Sequence, residues 1–191
     1  GNLHLSPKAI LGHCLFFDTR LSTNDAVSCA TCHDLTLGGT DNKPKSEGVP
    51  GADGKPQLGG VNAPSVYNAA GNISQFWDGR ALDLAEQAGG PPLNPVEMGY
   101  ATPEDWGKIA EKLAQDPQML TMFRAVYGDE QITGERITDA IAEFEKLLTT
   151  PNSAFDKYLL GDLDAISAEQ KAGMEAFGSY GGATCHSGPT L

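Results

Sequence analysis

Histidine is scarce in this sequence. Four occur in 191 residues, and none lies between His33 and His186. A multi-histidine metal centre in that long interval is therefore excluded. No apolar run approaches the ~20 residues that a bilayer-spanning helix requires. Positive charge is also short: 13 Lys and Arg stand against 25 Asp and Glu, a formal net charge of −12. That balance argues against nucleic acid and favours a basic or neutral partner. There is no initiator Met and no signal peptide, so Gly1 is expected to begin a processed or trimmed chain. The 40% apolar and 20% charged content is that of an ordinary globular protein. Four cysteines do not form a disulfide framework, because three of them sit in short motifs with other demands.

The informative stretch is Ser28-Cys29-Ala30-Thr31-Cys32-His33-Asp34. Two cysteines, two spacers and an immediate histidine are what covalent c-type haem attachment requires. One helical turn separates the two sulfurs, so both can bond one edge of a porphyrin while His33 takes the iron. A bare redox pair would want a thioredoxin-like βαβ context, which is missing. Half a zinc site would want a second ligand pair at suitable spacing. Thiol–haem attachment usually takes place outside the cytoplasm, which leads us to expect a periplasmic or otherwise exported protein. Cys14 falls in the apolar run 10–17 and reads as a buried inert thiol. His13 beside it reads as a surface or packing residue.

The periodicity predicts an all-α fold with long irregular loops. Ser6-Pro7 caps a first helix whose buried face carries Ile10, Leu11, Cys14, Leu15 and Phe17. From Leu37 to Gly60 the chain is rich in Gly, Pro, Asp and Lys and reads as one long loop. A short amphipathic helix is expected over 81–88, closed by Gly89-Gly90-Pro91-Pro92. Further helices begin at Thr102-Pro103, at Asp116-Pro117 and near Thr133. A capping box at Ser167 to Gln170 opens a last one. We expect two domains, 1–150 and 151–191, because the order helix, short loop, Cys-His recurs at Cys32-His33 and at Cys185-His186.

A c-type haem brings its own redox chemistry, and the protein decides what reaches the iron. An electron-transfer cytochrome would close the sixth position, here with Met98, Met119 or Met122. Met119 and Met122 fall in an amphipathic helix and read as core. Beside Met98 stands Glu97, a carboxylate able to move a proton between peroxide oxygens if it faces open iron. By default Glu97 and Gln87 would be surface residues, and Trp77 core.

Several motifs then fall in register. The runs 11–22, 28–33 and Asn62-Ala63-Pro64, followed by 75–81 and Gln87 through Met98, resemble the bacterial dihaem cytochrome c peroxidase family. That family includes MauG-type enzymes, which oxidise tryptophans of a partner protein. The resemblance implies two cytochrome c-like domains, each with a haem. It implies that His33 is the proximal ligand of the peroxide-reacting haem, held by Cys29 and Cys32. Gln87 and Glu97 would line the distal pocket, with Pro91 in its wall and Trp77 between the haems. Asn62 would contribute to a calcium site. Hydrogen peroxide would be the substrate and a small redox protein, a cytochrome c or a cupredoxin, the electron donor; a homodimer stays open.

Two departures from the family pattern stand out. The loop 44–60 carries no histidine, whereas many of these peroxidases hold a distal one there. We therefore expect the first haem to be five-coordinate or water-bound without prior reduction, a feature that leans toward the MauG-type branch. The second motif reads Gly182-Ala183-Thr184-Cys185-His186, with glycine where the family has its first cysteine. Either one thioether through Cys185 holds that haem, with His186 on the iron, or residue 182 is altered or misidentified. The second domain is expected to be only its opening part. The rival reading is a non-enzymatic electron-transfer cytochrome with Met98 on the iron.

Overall fold

The computed structural model describes residues 5–186, which form two compact units divided between Leu148 and Thr149. In the first unit, α1 (Pro7–Phe16) begins where Ser6 Oγ accepts the Ala9 N–H at 3.1 Å, with proline at the first helical position. It buries Leu11, Leu15 and Phe16 completely. Cys14 is only half-buried. His13 is a packing residue, its ring 5.0 Å from those of both Phe17 and Phe144.

The partner of α1 is α6 (Gly134–Glu145), capped by Thr133, whose Ile137, Ala140, Ile141 and Phe144 face inward. The two helices cross so closely at Gly12 that a Cβ there would overlap the Ala140 carbonyl. Between them in sequence, α4 (Trp106–Leu113) follows a capping box of Thr102 and Asp105, and α5 (Pro117–Tyr127) starts from Asp116. Arg20 ties the end of α1 to the start of α5 by pairing with Asp18 and Asp116. Leu11, Leu15, Phe16, Ile109, Leu113, Phe123, Ile137 and Ile141 share one core.

Two expectations are corrected. The stretch 37–60 is not loop throughout: β1 (Glu47–Pro50) and β2 (Pro56–Leu58) pair antiparallel. Pro50 and Pro56, opposite each other at the turn end of the pairing, hid the strand pattern, and Val49 is a core residue at 4% exposure. The fold is thus mostly α, with one small hairpin among the described residues. The short helix α3 runs Leu84–Gly89, not from Ala81, because Asp83 is its cap and accepts the Glu86 N–H at 2.9 Å. Leu82 is left outside it and exposed. The one-turn helix α2 (Cys29–Cys32) carries the first motif.

The second unit holds α7 (Ala154–Leu159), α8 (Ala168–Ser179) and α9 (Gly182–Cys185). The expected box of Ser167 and Gln170 opens α8. Gly1, expected to begin a processed or trimmed chain, lies outside the described residues.

Gly12→Ala forces a methyl group into the α1–α6 crossing. Overpacking of this kind costs about 1–3 kcal/mol, and a matching fall in the urea midpoint at constant slope is the expected result.

Candidate haem site

Each element brings one part of the site. The turn of α2 places Cys29 and Cys32 on one side and leaves His33 as its C-terminal residue, with φ −122° and ψ 63°. His33 Nδ1 faces two backbone carbonyls, Gly39 O at 3.2 Å and Pro64 O at 3.1 Å. Two acceptors require that nitrogen to carry the hydrogen, which leaves the Nε2 lone pair for a metal. The chain on either side of these carbonyls is itself anchored. Thr40 Oγ1 donates to Ala63 O at 2.9 Å, Ser65 Oγ to Gly38 O at 2.7 Å, and the Tyr67 hydroxyl to Leu35 O at 3.1 Å. Burial depresses the His33 pKa against the opposing pull of these carbonyls, so the ring is kept neutral, as a ligand must be.

A cavity of about 300 Å3 opens over this histidine. A smaller one of about 60 Å3 shares Cys32, His33, Gln87, Pro91 and Glu97 with it and reaches Cys29 and Met98. The expected catalytic residues are therefore brought together around His33. Gln87 comes from α3. Pro91 and Glu97 come from the irregular chain after it, where Asn94 Nδ2 donates to Glu97 Oε1 at 2.9 Å. The hairpin braces that chain. Val49 N–H donates to Glu97 O at 2.9 Å, and Gln57 Nε2 to Pro95 O at 3.1 Å. Gly48 is required here, since a Cβ would overlap the Val96 carbonyl. Burial raises the Glu97 pKa, partly offset by Arg80 and by the Asn94 hydrogen bond. Burial that favours the protonated carboxyl, against Arg80 and Asn94 that favour the carboxylate, suits a group that takes up and returns a proton.

Trp77 departs from the default. It is 65% exposed at the mouth of the larger cavity, with Nε1 donating to Asn62 O at 3.0 Å. A left-handed Phe76 (φ 66°) turns the chain there, and the Arg80 guanidinium stacks over its ring, 3.5 Å from the centroid. Asn62 is exposed and lines the same mouth. Among the described residues no group of three or more His, Cys, Asp or Glu could hold a metal ion. Met98 and Met119 are core residues, and Met122 packs against that core.

Two contributors are missing from the sequence reading. Glu145 lines both cavities, is 4% exposed, and its Oε2 has no hydrogen-bond partner. Ser46 Oγ is likewise buried without a partner and lines the larger cavity. A visible signal for Glu145 existed: it stands four residues after Ile141 on a stripe that is otherwise apolar.

The residues present fit a haem. Thiols, a neutral imidazole with a free Nε2 and a cavity walled by both surround one space. Burial also raises the thiol pKa values of Cys29 and Cys32. The only two buried side-chain polar atoms left unpaired among the described residues face that same space.

A profile of the di-haem cytochrome c peroxidases matches residues 6–164. The chain belongs to the di-haem cytochrome c peroxidase family. It is 51% identical over 184 residues to the cytochrome c peroxidase Ccp of Escherichia coli (strain K12), covering 96% of this chain and 38% of that protein. It is 48% identical to a cytochrome c551 peroxidase of Nitrosomonas europaea, covering 96% and 52%. The MauG protein of Methylorubrum extorquens is 38% identical, covering 94% and 49%. A solved MauG-like protein associated with microbial copper homeostasis superposes with a TM-score of 0.78 at 26% identity, covering 90% of this chain and 49% of the other. The chain thus spans about half or less of the length of these relatives.

In the second unit the turn that carries Cys29 to His33 recurs in form. α9 is a one-turn helix like α2, and His186 follows it with φ −111° and ψ 84°. Cys185 and His186 are exposed, and the His186 ring lies 6.2 Å from that of Phe177. Gly182 takes the place that Cys29 has in α2. A Cβ at 182 would lie 2.7 Å from the Phe177 ring, so a side chain there requires that ring to move.

Because Trp77 is mostly exposed, Trp77→Ala is expected to change unfolding free energy by no more than ~0.5 kcal/mol. Denaturant midpoints of the haem-loaded protein check this, and a larger loss would make Trp77 a packing residue.

Proposed function

We propose that the chain is the peroxide-reacting part of a dihaem c-type peroxidase that reduces hydrogen peroxide to water. The observation that carries this reading is that His33, Gln87 and Glu97 line the same cavity space. Cys29 and Cys32 would hold haem c through thioethers, with His33 Nε2 on the iron. A haem so held supplies a redox-active metal able to accept peroxide oxygen and to pass electrons.

The chain's own residues do the rest. Glu97 takes a proton from one peroxide oxygen and returns it to the other, its backbone kept in place by Val49 and Gln57. Gln87 offers an amide donor and acceptor to orient the substrate. Pro91 closes the wall and narrows access. Met98 is packed in the core and is absent from the lining of the larger cavity, so it would leave that space to solvent or substrate. The loop 44–60, folded into the hairpin and without a histidine, offers no imidazole to occupy it. The enzyme would then react without prior reduction.

The remaining assignments belong to the same proposal. The division into 1–150 and 151–191 would separate the two haem domains, the second held through Cys185 with His186 on its iron. Exposed Trp77 would pass electrons between the haems, which a small cytochrome c or cupredoxin supplies. Asn62 would help to bind calcium. The periplasm is the compartment we propose, since thioether attachment takes place outside the cytoplasm. The MauG-type alternative, oxidation of a partner protein, draws support from the 38% identity to one such protein.

Glu97→Gln in the haem-loaded protein is expected to slow peroxide turnover about 100- to 10,000-fold, with the absorption spectrum of the haem retained. Unchanged turnover would remove Glu97 from the proton path. An EPR spectrum containing only six-coordinate low-spin haem would count against the open first site.

A further inference from the structure

Glu145 has no structural explanation. It closes α6 on the face that packs against α1 and α3, where Ile137, Ala140, Ile141 and Phe144 are buried apolar residues. A glutamate is almost never fully buried unless it is paired. No cation pairs with this one among the described residues, and its Oε2 is without any hydrogen-bond partner. A leucine would serve packing better at that position. Yet the carboxyl lines both cavities together with Gln87 and Glu97.

We propose that Glu145 is an internal proton store of the haem cavity, giving up its proton through cavity water during peroxide reduction and regaining it from solvent. The proposal rests on the peroxide-reducing reading above. Hydrogen peroxide, two electrons and two protons become two waters. When the O–O bond breaks, Glu97 returns the proton it took, and one oxygen leaves as water. The other oxygen needs two protons with the two electrons that the donor supplies. Glu97 ends that exchange as it began, so it provides neither. The Glu145 carboxylic acid provides one and becomes a carboxylate, bulk solvent provides the other through cavity water, and bulk solvent then reprotonates Glu145. The Gln87 amide and the unpartnered Ser46 Oγ line the same cavity and give such water further polar partners.

Burial alone pushes the Glu145 pKa up to about 8, so the acid is loaded at neutral pH. The other titratable or charged groups facing the cavity are Cys29, Cys32 and His33 from the α2 turn, Glu97 opposite, and Arg80, Asp78 and Glu47 toward the mouth. From α1, His13 packs on Phe144 and Lys8 pairs with Asp139.

The test uses the haem-loaded full chain and two readouts. At pH 7 its infrared spectrum is expected to contain the carbonyl band of a protonated carboxyl that Glu145→Gln removes and Glu97→Gln leaves. Peroxide turnover in Glu145→Gln is expected to fall about 100-fold and to lose the decline that the parent has above about pH 8. If the glutamine variant fails to fold, Glu145→Asp carries the test, with a shifted band and reduced turnover expected. No band traceable to residue 145, or a band with turnover and pH profile unchanged in the variant, overturns the proposal. Full turnover in Glu97→Gln would instead overturn the peroxide mechanism while leaving the Glu145 band in place.

Discussion

The haem cavity depends on how closely α1 and α6 cross. Gly12 lets the α1 backbone rest on the Ala140 carbonyl, and that distance sets where the rest of α6 lies. Phe16 and Phe144 then meet edge to face, 5.3 Å apart. Further along, Ala142 packs with Leu84 and Ala69, which seats α3. Gln87 on α3 and Glu145 at the end of α6 thus owe their positions to one backbone contact some way from the chemistry. A larger residue at position 12 would move both walls of the cavity.

A second constraint acts from the opposite side. Glu97 stands in irregular chain, which lacks a helix ladder to hold it. The hairpin of β1 and β2 supplies the missing backbone bonds through Val49 and Gln57, and Gly48 permits the approach. The segment 44–60 thus acts as a brace for the chain that carries Glu97.

Much of the site could be read directly. The CxxCH spacing is local chemistry, and helix caps such as Ser6, Asp116, Thr133 and Ser167 are local too, so both survive translation into structure. Trp77 was misplaced by the default that aromatic residues go inside. The strand pair escaped because proline and glycine mask alternation over such short runs. Glu145 escaped because a charged residue at the end of an amphipathic helix reads as its solvated face, and its burial is imposed by α1 and α3.

By itself the sequence determined the attachment motif, an acidic net charge, the helix boundaries set by caps, and the absence of a histidine from residues 44–60. These depend on covalent spacing, net charge and contacts within one turn of chain. Only the tertiary structure decided that His33 presents Nε2, that Gln87 and Glu97 share its cavity, and that Glu145 lies buried beside them. Those facts come from residues far apart in the chain meeting in a low-dielectric space, where a carboxyl's charge state is set by what surrounds it.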